Sequence, residues 1–378
     1  MNPFELTIER WAWPGLGMGY FEEKAVFLPN VLPGERVRAE LIKAGKKHLE
    51  ARLVEVLDAA DQRVQPDCRQ YPACGGCGLL HLSYGDQLQM KTQLLGELLN
   101  RHQLEAPFEV RPAPQPLAYR YKASLKSDGA LIGLNRYRSE QLLKITDCCL
   151  VLPPQMLEAV AQIEPRSDWD LKALLSRSSG KLALIWDKRG QTKPQVGYGQ
   201  TVIEDYGAGP IELQAARFCQ SNPMVTEQIL GDLKEALGGI THLVEHYAGA
   251  GTLTLALAPQ MTKLWAFESE PGAAKLGARN LGSFEAVRFK AARAEGAQIP
   301  QEAEALLVDP PRAGMASALV DAALVSKLSR IVYLSCDPQT QARDLARLVA
   351  GGFQLEWVRG YDMYPQTGHL ESLALLSR

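Results

Sequence analysis

The sequence lacks the features that mark membrane and secreted proteins. None of its apolar runs is long enough to span a bilayer. The first residues lack a basic segment followed by an apolar core, so we expect no secretory signal and a cytoplasmic protein. The chain also lacks a large excess of charge of one sign, since 41 Lys and Arg against 43 Asp and Glu give a formal net charge of −2. A near-neutral chain carries no global signature of nucleic-acid binding, so any such surface must be local.

A disulfide framework is missing as well. The chain has only seven cysteines, an odd and unevenly spaced number. This pattern excludes a disulfide-stapled secreted domain and fits a protein with a metal or cluster site plus a reactive thiol. The three-cysteine spacing C-x-x-x-C-x-x-C of radical enzymes is also absent, so a cluster that donates electrons to S-adenosylmethionine (SAM) is not expected.

Three cysteines, Cys68, Cys74 and Cys77, lie within one glycine-containing turn. Glycine permits the tight backbone that converging thiolates need, and its amides can donate hydrogen bonds to sulfur. A fourth soft ligand must come from afar, and the pair Cys148-Cys149 can supply it. The spacing favours a [4Fe–4S] cluster, while a zinc site stays open as the alternative because zinc sites prefer two Cys-x-x-Cys pairs.

The chain is long enough for two or three domains, and we place boundaries at residues 1–58, 59–205 and 206–378. The first segment has short alternating runs, predicted as strands at Glu5–Arg10, Lys24–Leu28, Glu35–Ile42 and Ala51–Val56, and separated by turn residues that include Gly15, Gly17 and Gly19. Its strings Gly-Leu-Gly-Met-Gly-Tyr and Val-Phe-Leu-Pro-Asn-Val-Leu-Pro-Gly-Glu resemble the TRAM domain, an OB-like barrel appended to RNA-modifying enzymes. The basic cluster at residues 43–52 is either an RNA-binding patch or a solvated hairpin face.

The middle segment contains an amphipathic helix predicted over residues 84–102, which we expect to pack on the third segment. Residues from about 117 to 200 are predicted to form mostly strands and turns. Basic and aromatic residues alternate in part of this region, and such side chains either track an RNA backbone and stack on bases or form an ordinary strand surface. These residues are Tyr119, Arg120, Tyr121, Lys122, Arg136, Tyr137 and Arg138.

The last segment alternates apolar strand patterns with helical ones. Seven strands alternating with helices and ending in a late strand pair predict an α/β fold, the Rossmann-like sheet of class I methyltransferases. Two of the apolar runs end abruptly at polar residues, one at Asp309-Pro-Pro-Arg312 and the next at Ser335-Cys336-Asp337. Parallel strands end in this way at the carboxyl edge of a sheet, where such folds carry out their chemistry.

A strand, a Gly-x-Gly turn and a helix follow one another around Gly249 and Gly251. Glycines at that place let a ligand approach a helix N-terminus, although the full G-x-G-x-x-G fingerprint is not met. One strand later, Glu268 stands where an acid would bind the two hydroxyls of a ribose.

The combined motifs resemble the RNA uracil-5-methyltransferase family, whose members make 5-methyluridine in 23S rRNA and in tRNA. The motifs are Phe218-x-Gln220-x-Asn222, Tyr247-x-Gly249-x-Gly251-Thr252, Asp309-Pro-Pro-Arg312, Ser335-Cys336-Asp337-Pro338 and Asp362-Met-Tyr-Pro365-x-Thr-x-His369-x-Glu371. The TRAM-like segment and the cysteines resemble the 23S rRNA branch more than the tRNA branch.

The resemblance implies SAM-dependent methylation of carbon 5 of a flipped-out uridine by a monomeric enzyme acting on 23S rRNA or, alternatively, on tRNA. It implies that Cys336 is the nucleophile at carbon 6 and Glu371 the base, since a soft thiolate suits conjugate addition and a buried carboxylate can remove a proton. Asp309 and Arg312 would bind the uracil. The implied SAM-binding residues are Gln220, Tyr247, Gly249, Gly251, Glu268 and Asp309. The implied [4Fe–4S] ligands are Cys68, Cys74, Cys77 and Cys149, with Cys148 a neighbour.

Four residues depart from the family pattern. Ala248 replaces a cysteine, Cys219 replaces an aromatic residue, and Ala292-Arg293 replaces a Gly-Asp pair, so the resemblance gives no adenine contact. Arg312 argues against two other classes of methyltransferase. Amino-group methyltransferases carry an aromatic residue at this position, and RNA cytosine-5 enzymes place a cysteine at that edge. A non-catalytic RNA-binding or iron–sulfur sensor on the same scaffold predicts loss of Cys336 or Glu371, and both are present.

Overall fold

The structure is a computed structural model that describes residues 3–189, 195–196 and 200–378. Residues 190–194 and 197–199, which fall in the region predicted to hold strands and turns, lie outside the described residues. Among the described helices, none is long and apolar enough to cross a membrane.

A closed five-stranded barrel forms the N-terminal part. Its strands are β1 (Phe4–Ala12), β2 (Leu16–Phe21), β3 (Lys24–Leu28), β4 (Arg36–Ala44) and β5 (His48–Asp58), in the order β1-β2-β3-β5-β4. The inward positions of these strands are apolar and fully buried, as at Ile8, Val26 and Val37. The predicted OB-like barrel is therefore confirmed.

The prediction for two glycines of this barrel is wrong. The sequence pattern places Gly17 and Gly19 between strands, but both lie inside β2. A Cβ on Gly17 would overlap the side chain of Val31, and one on Gly19 would overlap the carbonyl oxygen of Thr7. These glycines permit close packing inside the barrel instead of forming turns.

The middle part consists of one long helix and a six-stranded antiparallel sheet. Helix α1 (Tyr84–Arg101) begins after the N-cap Ser83, whose side chain accepts a hydrogen bond from the amide of Asp86. The sheet has the order β12-β11-β10-β7-β8-β9 and is covered by α2 (Pro154–Ala161). Its strands are β7 (Lys122–Asp128), β8 (Ile132–Asn135), β9 (Leu142–Lys144), β10 (Ser167–Leu175), β11 (Leu182–Lys188) and β12 (Gln195–Val196), and β6 (Phe108–Arg111) precedes them in the chain.

The C-terminal part follows a hairpin of β13 (Thr201–Asp205) and β14 (Pro210–Gln214). Its helices are α3 (Pro223–Ala236), α4 (Thr252–Leu257), α5 (Pro271–Asn280), α6 (Ser317–Val325) and α7 (Pro338–Ala350). Its strands are β15 (His242–His246), β16 (Lys263–Glu268), β17 (Val287–Ala291), β18 (Ala305–Val308), β19 (Arg330–Ser335), β20 (Gln354–Tyr361) and β21 (Glu371–Ser377).

These seven strands form one sheet in the order β17-β16-β15-β18-β19-β21-β20, and β6 adds an eighth strand at the edge. Strands β15 to β19 are parallel, and β21 is antiparallel to both of its neighbours. The central strands are almost wholly apolar because helices cover both faces of the sheet. The predicted class I methyltransferase fold is thus confirmed, and β6, which lies between the predicted helix and the region predicted to hold strands, is an addition to it.

Candidate active site and nucleic-acid groove

The carboxyl ends of four parallel strands meet at one edge of the sheet. Strand β15 leads into Tyr247, β16 ends at Glu268, β18 leads into Asp309 and β19 into Cys336. Chain order reverses between β15 and β18, and ligands of open α/β sheets bind at such a reversal. All four residues line a single large groove.

The glycine turn after β15 builds the first part of this groove. Tyr247, Gly249 and Gly251 all have positive φ angles, of 65°, 57° and 88°. A Cβ on Gly249 would meet no atom within 4 Å, so this backbone faces open space, whereas one on Gly251 would lie 2.7 Å from Cδ2 of Leu281. The turn is therefore closely packed on its inner side and open to a ligand on its outer side.

Glu268 is held against this turn by backbone amides. Its Oε2 accepts a hydrogen bond of 2.9 Å from the amide of Gly249, and its Oε1 accepts one of 2.7 Å from the amide of Glu270. Each carboxylate oxygen can accept more than one hydrogen bond, so the group can also receive the hydroxyls of a ribose. The predicted acid and the predicted glycine turn thus lie together.

Asp309 and Gln220 form the next part of the groove. Nε2 of Gln220 lies 3.5 Å from Oδ2 of Asp309. Gln220 is buried, and burial raises the pKa of Asp309 to about 7. Arg312, three residues further on, is exposed at the groove wall, where a guanidinium can reach an RNA base or phosphate.

Cys336 and Glu371 face each other at the ends of adjacent strands. The antiparallel register of β19 and β21 pairs Ser335 with Ser372, so the next residue along one strand, Cys336, lies opposite the preceding residue of the other, Glu371. Both side chains line the groove. Cys336 is half-buried, while Glu371 is only 3% exposed.

The pKa values of both groups are shifted upward. Burial and the adjacent Glu371 carboxylate raise the pKa of Cys336 to about 11, and the Arg312 guanidinium opposes that rise. Burial first, and then the charge of Asp309, raise the pKa of Glu371 well above its ordinary value. A thiol and two carboxyl groups with raised pKa values form an arrangement suited to proton transfer.

The groove encloses about 1620 Å³ and continues beyond the sheet edge. Its walls include the barrel loop at Pro14-Gly15, the cysteine turn at Gly75–Gly78, and the β8–β9 connection. Six basic side chains line it: Arg120, Lys126, Arg136, Arg138, Arg217 and Arg312. A groove of this size, lined by these basic side chains and by acidic ones such as Glu268 and Glu371, fits a single nucleic-acid strand with one base inserted.

The predicted basic and aromatic set divides into two groups. Arg120, Arg136, Tyr137 and Arg138 line the groove, and Tyr137 is 40% exposed. Tyr119 is fully buried, and its hydroxyl donates a hydrogen bond of 2.8 Å to the carbonyl of Pro365, so it cannot stack on a base. Tyr121 packs on the core of the six-stranded sheet. The Tyr119 ring therefore belongs to the interior, and the half-buried Tyr121 ring packs against the core of the sheet.

The predicted metal ligands lie around one small apolar cavity. Cys68, Cys74, Cys77 and Cys149 line it together with Cys148. In the part of the chain that the structure describes, however, no three His, Cys, Asp or Glu side chains are grouped closely enough to hold a metal ion. Burial is the main cause that raises the pKa of Cys77 to about 12, and the nearby thiols of Cys149 and Cys74 add to this rise. The cysteines therefore come together as a set but are not in a ligating arrangement.

Several groove residues have no counterpart among the predicted site residues. Phe218 is 68% exposed at the groove wall, and its neighbour Arg217 forms an ion pair with Glu270 beside Glu268. Tyr364 and His369 line the groove next to Glu371. Phe218, Tyr364 and His369 lie inside the sequence motifs, so the motifs could have identified them as site residues. The Arg217–Glu270 pair joins residues 53 positions apart and leaves no local signal.

Comparison with known proteins identifies RNA methyltransferases among the relatives of this chain. A family model described as tRNA (Uracil-5-)-methyltransferase matches residues 290–378, and the TRAM domain model matches residues 4–54. The chain is 31% identical to the 23S rRNA (uracil(1939)-C(5))-methyltransferase RlmD of Chromohalobacter salexigens, over 99% of this chain and 89% of that one. It is 30% identical to an uncharacterized RNA methyltransferase of Synechocystis, over 98% and 95% of the two chains.

Among solved structures, the tRNA (uracil-54, C5)-methyltransferase of Pyrococcus abyssi in complex with S-adenosyl-L-homocysteine has a TM-score of 0.79. The match covers 98% of this chain and 100% of that one at 20% identity, which shows a shared fold. The fold and the sheet-edge site define a class I RNA methyltransferase. The chain belongs to the RNA uracil-5-methyltransferase family.

Proposed function

We propose that this protein methylates carbon 5 of a specific uridine in 23S rRNA, with SAM as methyl donor and a covalent Cys336–carbon 6 adduct as intermediate. The observation that carries the proposal is the placement of Cys336 opposite Glu371 at the sheet edge, in a large groove that six Lys and Arg side chains also line. A nucleophile and a buried acid at adjacent strand ends match the two tasks of uracil-5 methylation. The groove walls match a single strand of RNA.

The open glycine turn and Glu268 fit SAM. Gly249 leaves room for the ligand, Glu268 has acceptor capacity for the ribose hydroxyls, and Gln220 and Asp309 border the path toward Cys336. Tyr247 supports the turn because its hydroxyl accepts a hydrogen bond of 3.0 Å from the amide of Ala316. When bound, SAM supplies a methyl group on a sulfonium, which is electrophilic.

Cys336 starts the reaction. Its thiolate adds to carbon 6 of uracil, which forms the S–C6 bond and moves the C5=C6 electron pair toward carbon 5 and the O4 oxygen. Arg312 and Asp309 lie at this end of the groove, and Arg312 can stabilise the negative charge that develops. Carbon 5 then forms its bond to the methyl group as the methyl–sulfonium bond breaks.

Glu371 completes the reaction. The methylated adduct carries a hydrogen on carbon 5, and the Glu371 carboxylate removes it as a proton. The electron pair returns to form C5=C6 and the S–C6 bond breaks, which releases the Cys336 thiolate and 5-methyluridine. Burial raises the pKa of Glu371, which makes its carboxylate a stronger base for this proton.

The choice of RNA rests on relatives. The RlmD relative acts by its name on 23S rRNA and matches nearly the whole chain, including the barrel. A tRNA substrate is the second candidate, favoured by the description of the family model that matches residues 290–378. Both substrates use the same chemistry at Cys336 and Glu371.

A mechanism-based trap tests the chemistry. RNA transcripts of 23S rRNA and tRNA that contain 5-fluorouridine are mixed with the protein and SAM, and covalent complexes are resolved by denaturing electrophoresis and mass spectrometry. Fluorine cannot leave as a cation, so the adduct persists on Cys336 and is absent in Cys336→Ala. Cys219→Ala, which alters a buried thiol away from the groove wall, is the matched control and keeps the adduct. No adduct with either RNA, in protein that binds SAM, would contradict the proposal.

We also propose that Cys68, Cys74, Cys77 and Cys149 hold a [4Fe–4S] cluster. They line one cavity with apolar walls, and thiolates in such a cavity suit a cluster. Cys149 is favoured over Cys148 as the fourth ligand because the family resemblance aligns Cys149 with that position. Ligation requires the thiols to rotate inward from their present positions, because they do not form a metal-binding group as they stand.

The cluster has a spectroscopic test. Protein purified without oxygen is expected to be brown and to contain about four iron and four sulfide per chain, the composition of the cluster. Cys149→Ser should lose the visible absorbance and Cys148→Ser should keep it. A colourless protein that carries one zinc per chain would reverse the assignment. The domain boundaries near residues 58 and 205, and a monomeric state, remain part of the proposal.

A further inference from the structure

Helix α1 directs two polar side chains into the interior. Gln87 and Lys91 stand one helical turn apart, and both are 0% exposed. The rest of this helix face is apolar, with Met90, Leu94 and Leu98 buried. Burying an amide and an ammonium group costs free energy unless each forms hydrogen bonds or an ion pair. The groups that they bind therefore indicate the role of these two residues.

Gln87 uses both ends of its amide. Its Nε2 donates to the side-chain Oε1 of Gln366 at 2.8 Å, and its Oε1 accepts from the Gln366 amide at 3.0 Å. The same Nε2 also lies 3.1 Å from the carbonyl of Leu79 and 2.9 Å from that of Leu82. Gln366 has a φ of 67°, a backbone conformation that non-glycine residues rarely adopt, so its loop depends on outside support.

Lys91 makes an ion pair with Asp362. The Nζ–Oδ1 distance is 2.6 Å, and both side chains are fully buried. Asp362 directly follows β20, so Lys91 anchors the first residue of the connection from β20 to β21.

This connection, residues 362–370, is here named the β20–β21 loop. It begins at Asp362, contains Gln366 and ends immediately before Glu371, the first residue of β21. Some further anchors of the loop come from outside the large sheet. The amides of Gly78 and Leu79 donate to the carbonyl of Gln366 at 2.9 and 3.0 Å. Gly368 lies so close to the carbonyl of Pro14 in the barrel that a Cβ there would overlap its oxygen.

Stability alone does not require this polar arrangement. Well-packed apolar residues often replace a buried ion pair without loss of stability, although removal of one partner is strongly destabilising. A directional ion pair and a two-point amide contact instead fix the position of the loop. Catalysis depends on such positions, since a displacement of about 1 Å can reduce a rate about a hundredfold.

We propose that Gln87 and Lys91 are positioning residues that fix the β20–β21 loop and so place the Glu371 carboxylate for proton removal. This role rests on the proposed function. Cys336 follows β19 and precedes α7, so it adjoins other elements of the chain, whereas Glu371 directly follows this loop. Displacing the loop should therefore slow the second half of the reaction more than the first.

That asymmetry has a direct readout. When proton removal slows, the methylated RNA stays bonded to Cys336. With uridine-containing 23S rRNA or tRNA transcripts and SAM, the variant should accumulate a covalent, methylated complex that survives denaturation. A general loss of packing would lower the rate without accumulating this complex.

The test uses the full chain and two independent variants. Lys91→Met combined with Asp362→Leu replaces the ion pair by apolar groups, and Gln87→Met removes the two-point contact. Each should release methylated RNA about ten- to a hundredfold more slowly than wild type, with accumulated complex. Gln93→Met is the matched control, because Gln93 is exposed on the same helix and bonds only with Glu97 among the contacts described.

The Glu371→Gln variant distinguishes a failure of the proposed function from a failure of the positioning role. It should accumulate the complex most strongly, and its failure to do so would refute the proposed function. If Glu371→Gln accumulates the complex but the folded positioning variants do not, the positioning role is overturned, whether their turnover is normal or slow. Folding is checked by thermal unfolding, and Gln87→Met alone decides the matter if the double variant does not fold.

Discussion

Cys336 is flanked by groups that act on its thiol in opposite directions. Glu371 and Asp309 raise its pKa after burial has done so, and Arg312 lowers it. The thiol is therefore mostly protonated in the free protein at neutral pH, and the nucleophile must form when RNA and SAM are bound. The effect of the neighbouring carboxylates can therefore be measured through the pKa of the Cys336 thiol.

Glu371→Gln should lower the pKa of Cys336 from about 11, because it removes the carboxylate that disfavours the thiolate. The measurement is the pH dependence of alkylation of the Cys336 peptide by iodoacetamide, followed by mass spectrometry. Glu356→Gln is the control, since Glu356 lies on β20 and does not line the groove. An unchanged alkylation profile would show that Glu371 does not face the thiol.

Asp309→Asn should move the rise of activity with pH to lower pH while lowering the maximal rate. Glu371 must be ionised to act as a base, and its raised pKa shifts this ionisation to higher pH. The negative charge of Asp309 contributes to the raised pKa. Without this charge the carboxylate forms at lower pH, so the limb that rises with pH shifts to the acid side. The measurement is the release of 5-methyluridine RNA from the enzyme under single-turnover conditions across pH, and a shift in the alkaline direction would contradict the account.

At the scale of elements, the sequence predicts what local patterns determine. The seven strands of the large sheet are predictable because buried parallel strands are apolar runs that end at polar residues. Strand β6 escapes prediction because it has only four residues and the exposed Phe108 gives it no buried-strand pattern. Strand β2 escapes it because glycines ordinarily indicate turns, whereas here the side chains of Val31 and Ile8 pack against Gly17.

Gly17→Ala should therefore destabilise the barrel by about 1–3 kcal/mol, the usual cost of overpacking. Gly231→Ala is the contrasting control, because Gly231 lies in α3 and a Cβ added there would meet no atom within 4 Å. Alanine at that position should be neutral or stabilising by up to about 1 kcal/mol. Urea unfolding of both variants measures the difference, and equal stabilities would refute the packing explanation.

At the scale of the whole molecule, the groove is assembled from all three parts of the chain. The barrel contributes Pro14-Gly15, the middle part Arg136–Arg138, and the large sheet the strand ends. Arg138 and Glu50 also form an ion pair of 2.6 Å between the middle part and the barrel. The N-terminal parts thus line the path that leads to Cys336.

Motifs indicate which residues come together, but not how they are held. The pairing of Cys336 with Glu371 depends on the register of β19 and β21, and the contacts of Gln87 and Lys91 join residues more than 270 positions apart. No short-range pattern encodes such contacts. A polar residue on the apolar face of α1 is the one available signal, since Gln87 and Lys91 interrupt that face.

The most direct measurement is a nucleoside map of 23S rRNA and tRNA from a strain that lacks this protein, with re-expression of wild type and of Cys336→Ala. We expect 5-methyluridine to disappear at one position of 23S rRNA and only wild type to restore it. Persistence of 5-methyluridine at every position, or restoration by Cys336→Ala, would contradict the central claim.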